Sequence, residues 1–494
     1  MNVLFIASET VPFAKTGGLA DVVSALSSHL HNTGHNVRVI IPYYSSIREK
    51  GIETTEVLGS MCVHMAPGVE EWCSIHEAKG TGGVTVWLIE HNGFYNRDGI
   101  YNDKDFNDYW DNSSRFGFLA RAALQTAIDT KFSPDIIHLH DWQAALAAPY
   151  QKLWFWDNPI IGNAATVLTI HNAMYQGVYG GEKYEYLGFG WEHFTSDTFE
   201  DHGRLNMLKS GIHYSDVINT VSPTHAKEIA AEYSEFGIDH YLNKKGENFK
   251  GILNGIDYDE WCPESDTLIP ANFSSKDLSG KGICKKELQA SFGLDDRPDV
   301  PVIGIVGRLV EQKGYQLLTP VLEHILGTMD VQFAFVGSGD KGLEHFLSEM
   351  AGKYPGKFGC WIGYSNTKAH LVEAGSDMFL MPSLFEPCGL NQIYSLKYGT
   401  LPIVRSVGGL ADTVENYNPS TGEGTGFVFD HATPNALLGT IGWAVDTWFN
   451  KPEHFSKLRQ KAMKQEFTWD RSGAEYLAYY KQALIVRKAY NRTF

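Results

Sequence analysis

The sequence predicts an α/β protein of two domains, each organised around a mainly parallel sheet. Three observations carry this. The chain has 494 residues, more than one hydrophobic core usually organises. Short apolar runs recur, each leading into a Gly, His or Asn cluster and then a helical pattern. The pentapeptide Gly-Gly-Leu-Ala-Asp occurs at 17–21 and again at 408–412, and residues 1–250 and 300–410 carry the same kind of series.

The runs justify the strands in order. In the first half they lie at 37–41, 84–89, 136–139, 167–170 and 217–221. In the second half they lie at 302–306, 333–336, 378–381 and 401–404. β-Branched apolar runs without alternation suit strands covered on both faces by helices, which is the habit of parallel sheets. Residues 1–7 (MNVLFIA) read as a buried first strand: the run is too short for a membrane span and lacks a basic flank. The stretch 262–300 is the least regular, with Pro263, Pro270 and Pro298 around an apparent helix at 285–292.

Composition narrows the function. The formal charge is −17, from 41 Lys and Arg against 58 Asp and Glu. An acidic surface repels nucleic acid and anionic membranes but not a neutral polymer. Any anionic ligand must therefore be held by a few placed cations and backbone N–H groups. The six cysteines, at 62, 73, 262, 284, 360 and 388, form no Cys-x-x-Cys pair, so reduced thiols in a cytoplasmic setting are expected. A plastid setting stays open only if a transit peptide has been removed.

Three motifs follow strands. Lys15-Thr16-Gly17-Gly18-Leu19-Ala20-Asp21 opens a helix running to about residue 30. It reads either as a phosphate cradle, with free helix-start N–H groups beside a lysine, or as an ordinary turn with one exposed cation. Arg308-Leu309-Val310-Glu311-Gln312-Lys313-Gly314 places two cations at a strand's carboxyl end, where open α/β sheets bind ligands. They suit a diphosphate, or they are solvated surface charges. Phe385-Glu386-Pro387-Cys388-Gly389-Leu390-Asn391-Gln392 sets a carboxylate at the mouth of a helix. Glu386 there either serves a sugar or its developing oxocarbenium cation, or is a favourable acid at a helix start. Two histidine sites, His138-Leu139-His140-Asp141-Trp142 and His171-Asn172, also end strands. No His-Glu-x-x-His or compact carboxylate cluster accompanies them, so no metal is expected there.

In this shared order the motifs resemble the bacterial glycogen synthase and plant starch synthase family. The resemblance also takes in Leu253-Asn254-Gly255-Ile256-Asp257, Tyr398-Gly399-Thr400 and Phe467-Thr468-Trp469-Asp470, so it spans nearly the whole chain. It implies a GT-B type fold, two Rossmann-like domains facing each other across a deep cleft. The first would comprise residues 1–250 on the acceptor side, with 478–494 returning to it. The second would comprise 251–477 on the nucleotide-sugar side.

The resemblance also implies roles. Glu386, Lys313, Arg308, His171 and Asp141 form the catalytic group. Lys15, Gly17, Gly18, Asp21, Tyr364, Cys388, Gly389, Leu390 and Asn391 bind the donor, with Tyr364 stacking on the base and Asp21 beside the glucose. Tyr95, Asn172 and Asn254 lie on the glucose and acceptor side. Leu384, Asn391 and Val407 depart from the family's usual Arg, Thr and Thr.

The implied reaction moves glucose from ADP-glucose to the non-reducing end of an α-1,4-glucan (glycogen, starch or a maltooligosaccharide) with retention. No cofactor is expected. Lys15, Arg308 and Lys313 would stabilise the departing diphosphate, and no Asp-x-Asp pair lies beside the phosphate motifs to call for a metal. A double displacement needs a carboxylate nucleophile; Asp141 could fill that place, but the resemblance gives it a binding role. The expected alternative is a front-face reaction in which the departing phosphate takes the acceptor's proton, with domain closure excluding water. The rival readings are a UDP-glucose-dependent transferase of the same fold and a catalytically silent glucan-binding homologue.

Overall fold

The computed structural model describes residues 1–104, 107–258 and 260–491. The chain divides into two units: Met1–Gly255 with the segment from Trp469 onward, and Ile256–Thr468. No helix among the described residues is long and apolar enough to cross a membrane.

The first unit holds β1 (Asn2–Ile6), β2 (Asn36–Pro42), β3 (Thr55–Ala66), β4 (Val69–Lys79), β5 (Thr85–Glu90), β6 (Ile136–His140), β7 (Ala165–Ile170), β8 (Val178–Gly180), β9 (Glu200–Asp201), β10 (Arg204–Asn206), β11 (Val217–Thr220) and β12 (Phe249–Gly251). Nine of these form one sheet in the order β12-β11-β7-β6-β1-β2-β5-β4-β3, and β8, β10 and β9 form a small separate sheet. Pairing is parallel from β12 through β5. It turns antiparallel where β4 meets β5 and β3 meets β4. Strands β6 and β7 are buried at every residue, which is why they read as largely apolar runs without alternation. Helix Gly18–Asn32 buries Leu19, Val22, Val23, Leu26 and Leu30, one apolar stripe at helical spacing.

The second unit holds β13 (Val302–Val306), β14 (Gln332–Gly337), β15 (Phe358–Ile362), β16 (Met378–Met381), β17 (Leu401–Arg405) and β18 (Phe427–Phe429). They make a six-stranded sheet, β15-β14-β13-β16-β17-β18, parallel throughout. This is the Rossmann order, with the direction of winding reversing between β13 and β16. The first sheet reverses in the same way between β1 and β6. Ligands of such sheets bind beyond the carboxyl ends of the strands flanking the reversal; the Lys15, His140, Arg308 and Glu386 motifs follow those strands, and His171-Asn172 follows β7, the next strand in the first sheet.

Helix Trp469–Asn491 belongs to the first unit from its first turn, so the return begins at 469 and not at 478. Ser472 Oγ donates to Leu253 O at 2.6 Å, and Tyr479 OH donates to Ile218 O at 2.7 Å. Within the second unit, Ile256 N donates to Phe467 O at 2.9 Å, so the chain leaves the first unit and returns to it at neighbouring points. Of the segment 478–494, residues 492–494 lie outside the described residues. The helix expected at 285–292 is longer, Ser279–Ser291. Its first turn contains Gly280 and Gly282, which helix propensity disfavours.

Candidate active site

In the first unit, β1 runs into Ser8, Glu9 and Thr10, all buried. The Glu9 carboxylate accepts from Thr16 Oγ1 at 2.7 Å, from the Thr16 N–H and from Tyr101 OH. This closes the loop from 9 to 16 and sets Lys15 at the helix start. Burial raises the Glu9 carboxyl above its ordinary range, against the pull of those donors. Lys15 Nζ lies 2.7 Å from Asp21 Oδ1, both partly exposed. Gly17 caps helix Gly18–Asn32 in extended backbone, with nothing within 4 Å of where a Cβ would stand. Gly18, the first helical residue, is exposed. The sequence reading missed Glu9; the available signal was a single acid three residues past a strand.

Beyond β6 and β7 the structure brings His140, Asp141, His171 and Asn172 together. His140 Nδ1 and His171 Nε2 share a hydrogen bond of 2.9 Å. One oxygen of Asp141 accepts from His171 N at 2.6 Å and Asn172 N at 3.4 Å. Asp141 holds φ +56°, a conformation that costs a non-glycine residue about 1–3 kcal/mol and concentrates at functional sites. Burial pushes the Asp141 carboxyl up to about 7 and the His171 imidazole down to about 3. His140 is driven well below its usual range for the same reason. The pair of imidazoles is therefore neutral at neutral pH. Asn172 Oδ1 accepts from Met174 N at 3.0 Å. Asn254 is buried, and its Oδ1 has no partner among the described residues.

Tyr95 stands apart from this group. It is fully buried, its hydroxyl donates to Arg115 O at 2.8 Å, and its ring packs against Phe118. Neither ring nor hydroxyl is offered to a ligand. Its ring meets Tyr44 edge-on, and Tyr44 OH donates to Ser8 O at 3.0 Å, so Tyr95 buttresses the loop that carries Glu9.

In the second unit, Lys313 and Glu386 meet. Lys313 Nζ lies 2.7 Å from Glu386 Oε2, which also accepts from Ser383 Oγ at 3.0 Å. Glu386 is buried and Lys313 about one-fifth exposed. Arg308 is exposed, and its guanidinium has no partner among the described residues. Leu384 N donates to Gln312 O at 2.9 Å and Gln312 Nε2 to Phe385 O at 3.3 Å, so the loop after β13 is fastened to the loop after β16. Asn391 Nδ2 donates to Val306 O at 2.9 Å and ties the following helix, Asn391–Lys397, to the end of β13. Cys388 is buried, Gly389 has φ +69°, and Leu390 is half-buried.

A third loop, after β17, fixes the Glu386 loop from behind. Gly409 N donates to Glu386 O at 3.0 Å. A Cβ on Gly408 would overlap Glu386 O, and one on Gly409 would overlap Cys388 O. The second Gly-Gly-Leu-Ala-Asp is thus a backbone-packing element. Tyr364 follows β15 and is 86% exposed, a free aromatic face at the carboxyl edge of the sheet. Ser383, Gly408 and Gly409 were not among the sequence candidates; Ser383 had only its place three residues before Glu386 to mark it.

The family described as "Starch synthase catalytic domain" matches residues 2–244, and "Glycosyl transferases group 1" matches residues 287–465. A glycogen synthase of Geobacter sulfurreducens is 44% identical over 99% of this chain and 97% of its own length. The chain belongs to the starch and glycogen synthase family. A glycogen synthase of Treponema denticola is 43% identical over 98% of this chain and 99% of its own. Among solved structures, the catalytic domain of starch synthase IV from Arabidopsis thaliana, bound to ADP and acarbose, superposes with a TM-score of 0.88 at 31% identity. It covers 98% of this chain and 99% of that one. The fold is of the family's GT-B type and the chain is a glucosyltransferase. The first family segment falls inside the first unit, with Lys15, Asp141 and His171. The second falls inside the second unit, with Arg308, Lys313 and Glu386.

Proposed function

We propose that this chain transfers glucose from ADP-glucose to the non-reducing end of an α-1,4-glucan, with retention of anomeric configuration. The observation that carries the reading is the Lys313–Glu386 pair, with Arg308 lacking a side-chain partner among the described residues, in the loops that follow the strands flanking the reversal of the second sheet. It occurs in a chain more than two-fifths identical, end to end, to glycogen synthases.

The chemistry breaks the bond between the anomeric carbon and the diphosphate. Negative charge grows on the leaving oxygens and positive charge on the sugar ring. Arg308 supplies paired donors and Lys313 a point charge for the diphosphate. Glu386 holds Lys313 in place and serves the donor glucose, with the backbone from Cys388 to Leu390. Lys15 adds a cation at a helix start that favours anions. Tyr364 stacks on the base. His171 contributes hydrogen bonds without charge, because burial keeps it neutral. Asn172 and Asn254 serve the glucan side, and Asn254 Oδ1 is an acceptor without a partner among the described residues.

The Asp141 geometry supports the front-face reaction. One of its oxygens is committed to two backbone N–H groups, and burial favours its protonated form. Such a carboxyl is a poor nucleophile and a good brace for the loop after β7. We place the enzyme in the cytoplasm, a reading supported by six free cysteines.

The test is transfer of labelled glucose from ADP-glucose, and separately from UDP-glucose, to glycogen and to maltoheptaose. Faster incorporation from ADP-glucose, with release of ADP, is expected. Faster transfer from UDP-glucose would move the donor assignment. No transfer from either donor, with glycogen binding intact, would leave a silent binding homologue.

A further inference from the structure

The hairpin at the edge of the first sheet carries a cluster unrelated to the sugar chemistry. Strands β3 and β4 are joined by two residues, Pro67 and Gly68, with Gly68 at φ +78°. In an antiparallel pair, residues two apart share a face, and directly opposed residues are close neighbours. Cys62 and His64 are two apart on β3, and His64 stands opposite Glu70 on β4. Their side chains converge: Cys62 Sγ is 4.0 Å from His64 Nε2, and His64 Nδ1 is 3.5 Å from Glu70 Oε1. One ligand atom from each of the three lies within 4.8 Å of the others.

We propose that Cys62, His64 and Glu70 form a binding site for a borderline-soft divalent cation, Zn2+ foremost, with a coordination position left open to water. A thiolate, an imidazole and a carboxylate are the donor types zinc prefers. Zinc–sulfur and zinc–nitrogen bonds of about 2.3 and 2.0 Å put tetrahedral ligands about 3.5 Å apart, so ligand atoms that lie within 4.8 Å of one another must close by as much as about an ångström, which exposed side chains reach by rotation.

The scaffold is fixed from its other face. Met61, Val63 and Met65 alternate into the core. Arg121 Nε donates to His64 O at 3.2 Å. Glu71, next to Glu70 and facing the opposite way, meets His91 Nε2 and Tyr186 OH, each at 3.0 Å. The ligand face is thus the solvent face of an anchored hairpin, with side chains exposed enough to turn. Burial and the neighbouring Glu70 raise the Cys62 thiol above its ordinary range. Metal binding would therefore displace the thiol proton to solvent, and acidification would weaken it.

The test uses the full chain, metal-free and without a polyhistidine tag, titrated with Co2+ as an optical probe and then with Zn2+. One equivalent of Co2+ should give a sulfur-to-cobalt charge-transfer band in the near ultraviolet and four-coordinate absorption in the visible, both erased by Zn2+. Cys62→Ser should abolish the charge-transfer band. His64→Ala should weaken binding by an order of magnitude or more. Cys262→Ser and Cys360→Ser, at the other partly exposed thiols, should leave the band intact. Independently of any variant, Zn2+ should slow alkylation of Cys62, read by mass spectrometry. Absence of the band in the wild-type chain, its persistence in Cys62→Ser, or alkylation of Cys62 at an unchanged rate would overturn the proposal.

Discussion

Gly408 and Glu386 meet backbone to backbone. Gly408 holds φ +43°, and a Cβ there would overlap the Glu386 carbonyl oxygen, while Gly409 N donates to that oxygen at 3.0 Å. Two loops from neighbouring strands are interlocked with no room for a side chain, and the Glu386 carboxylate, proposed above to serve the donor glucose, rides on one of them. Gly408→Ala is strained in conformation and in space at once. It should destabilise the fold by about 2 kcal/mol or more and raise KM for the donor as the 385–390 loop shifts. Gly17→Ala is the contrast, since Gly17 is extended with nothing within 4 Å. Its melting temperature should match wild type. Thermal unfolding with donor kinetics on both variants decides; an unperturbed Gly408→Ala enzyme would refute the interlock.

The Lys313–Glu386 pair makes a separable prediction. Lys313→Ala removes the cation proposed for the leaving group, and losing one such preorganised contact typically costs about 10²–10³ in kcat. It also leaves the buried Glu386 carboxylate with the Ser383 hydroxyl, a loss of about 1–3 kcal/mol in stability. Glu386→Gln should likewise lower kcat while unfolding less easily than Lys313→Ala. The double variant should recover part of the stability lost by Lys313→Ala but none of the activity. Denaturant unfolding and steady-state rates on all four proteins close the cycle. Additive stability losses would mean the two side chains do not interact.

A buried chain of hydrogen bonds ties the last helix to β6 and β7. Tyr480 OH meets His138 Nδ1 at 2.8 Å, and His138 Nε2 meets Thr169 Oγ1 at 2.7 Å. Thr169 Oγ1 in turn donates to Asn219 Oδ1 at 2.8 Å. Because Thr169 uses its proton on Asn219, His138 must donate from Nε2 and accept at Nδ1, which fixes its neutral tautomer. Tyr480→Phe leaves that Nδ1 without a donor and should cost about 1–3 kcal/mol. His138 lies under His140, with ring centroids 4.3 Å apart, so kcat should change by no more than a few fold. A large loss of kcat with unchanged stability would contradict this bracing role.

Much of this was legible because parallel strands buried on both faces leave largely apolar runs without alternation, and the motifs sit directly after them. What one strand end does to another was not legible. Lys313 and Glu386 are 73 positions apart, and their pairing follows from the strand order, which no local pattern encodes. Glu9 went unnoticed because its partners come from Thr16 and from Tyr101, far along the chain. The resemblance placed Tyr95 on the glucose and acceptor side; its burial is imposed by helix Asn112–Asp129, which supplies Arg115 and Phe118. The β3–β4 hairpin escaped because its exposed edge is polar and its register is interrupted, so neither an apolar run nor clean alternation marks it.

Asp141 offers a pH test that also bears on mechanism. Its carboxyl is raised from 3.8 to about 7, so the folded state holds the proton more tightly than the unfolded chain. That contribution to stability is complete below pH 4, declines as pH rises, and is gone above about 7. His171, lowered from 6.5 to about 3, acts in the opposite sense, its contribution declining as pH falls from 6.5 toward 3. Asp141→Asn keeps an oxygen for the His171 and Asn172 N–H groups and removes the cost of ionising the buried acid. The variant should therefore match wild type near pH 4 and gain on it up to pH 7, with a constant advantage of a few kcal/mol beyond. A front-face reaction predicts that the same variant retains measurable glucose transfer. Accumulation of a glucosyl ester on Asp141 in the wild-type enzyme, with no turnover by Asp141→Asn, would instead establish a double displacement.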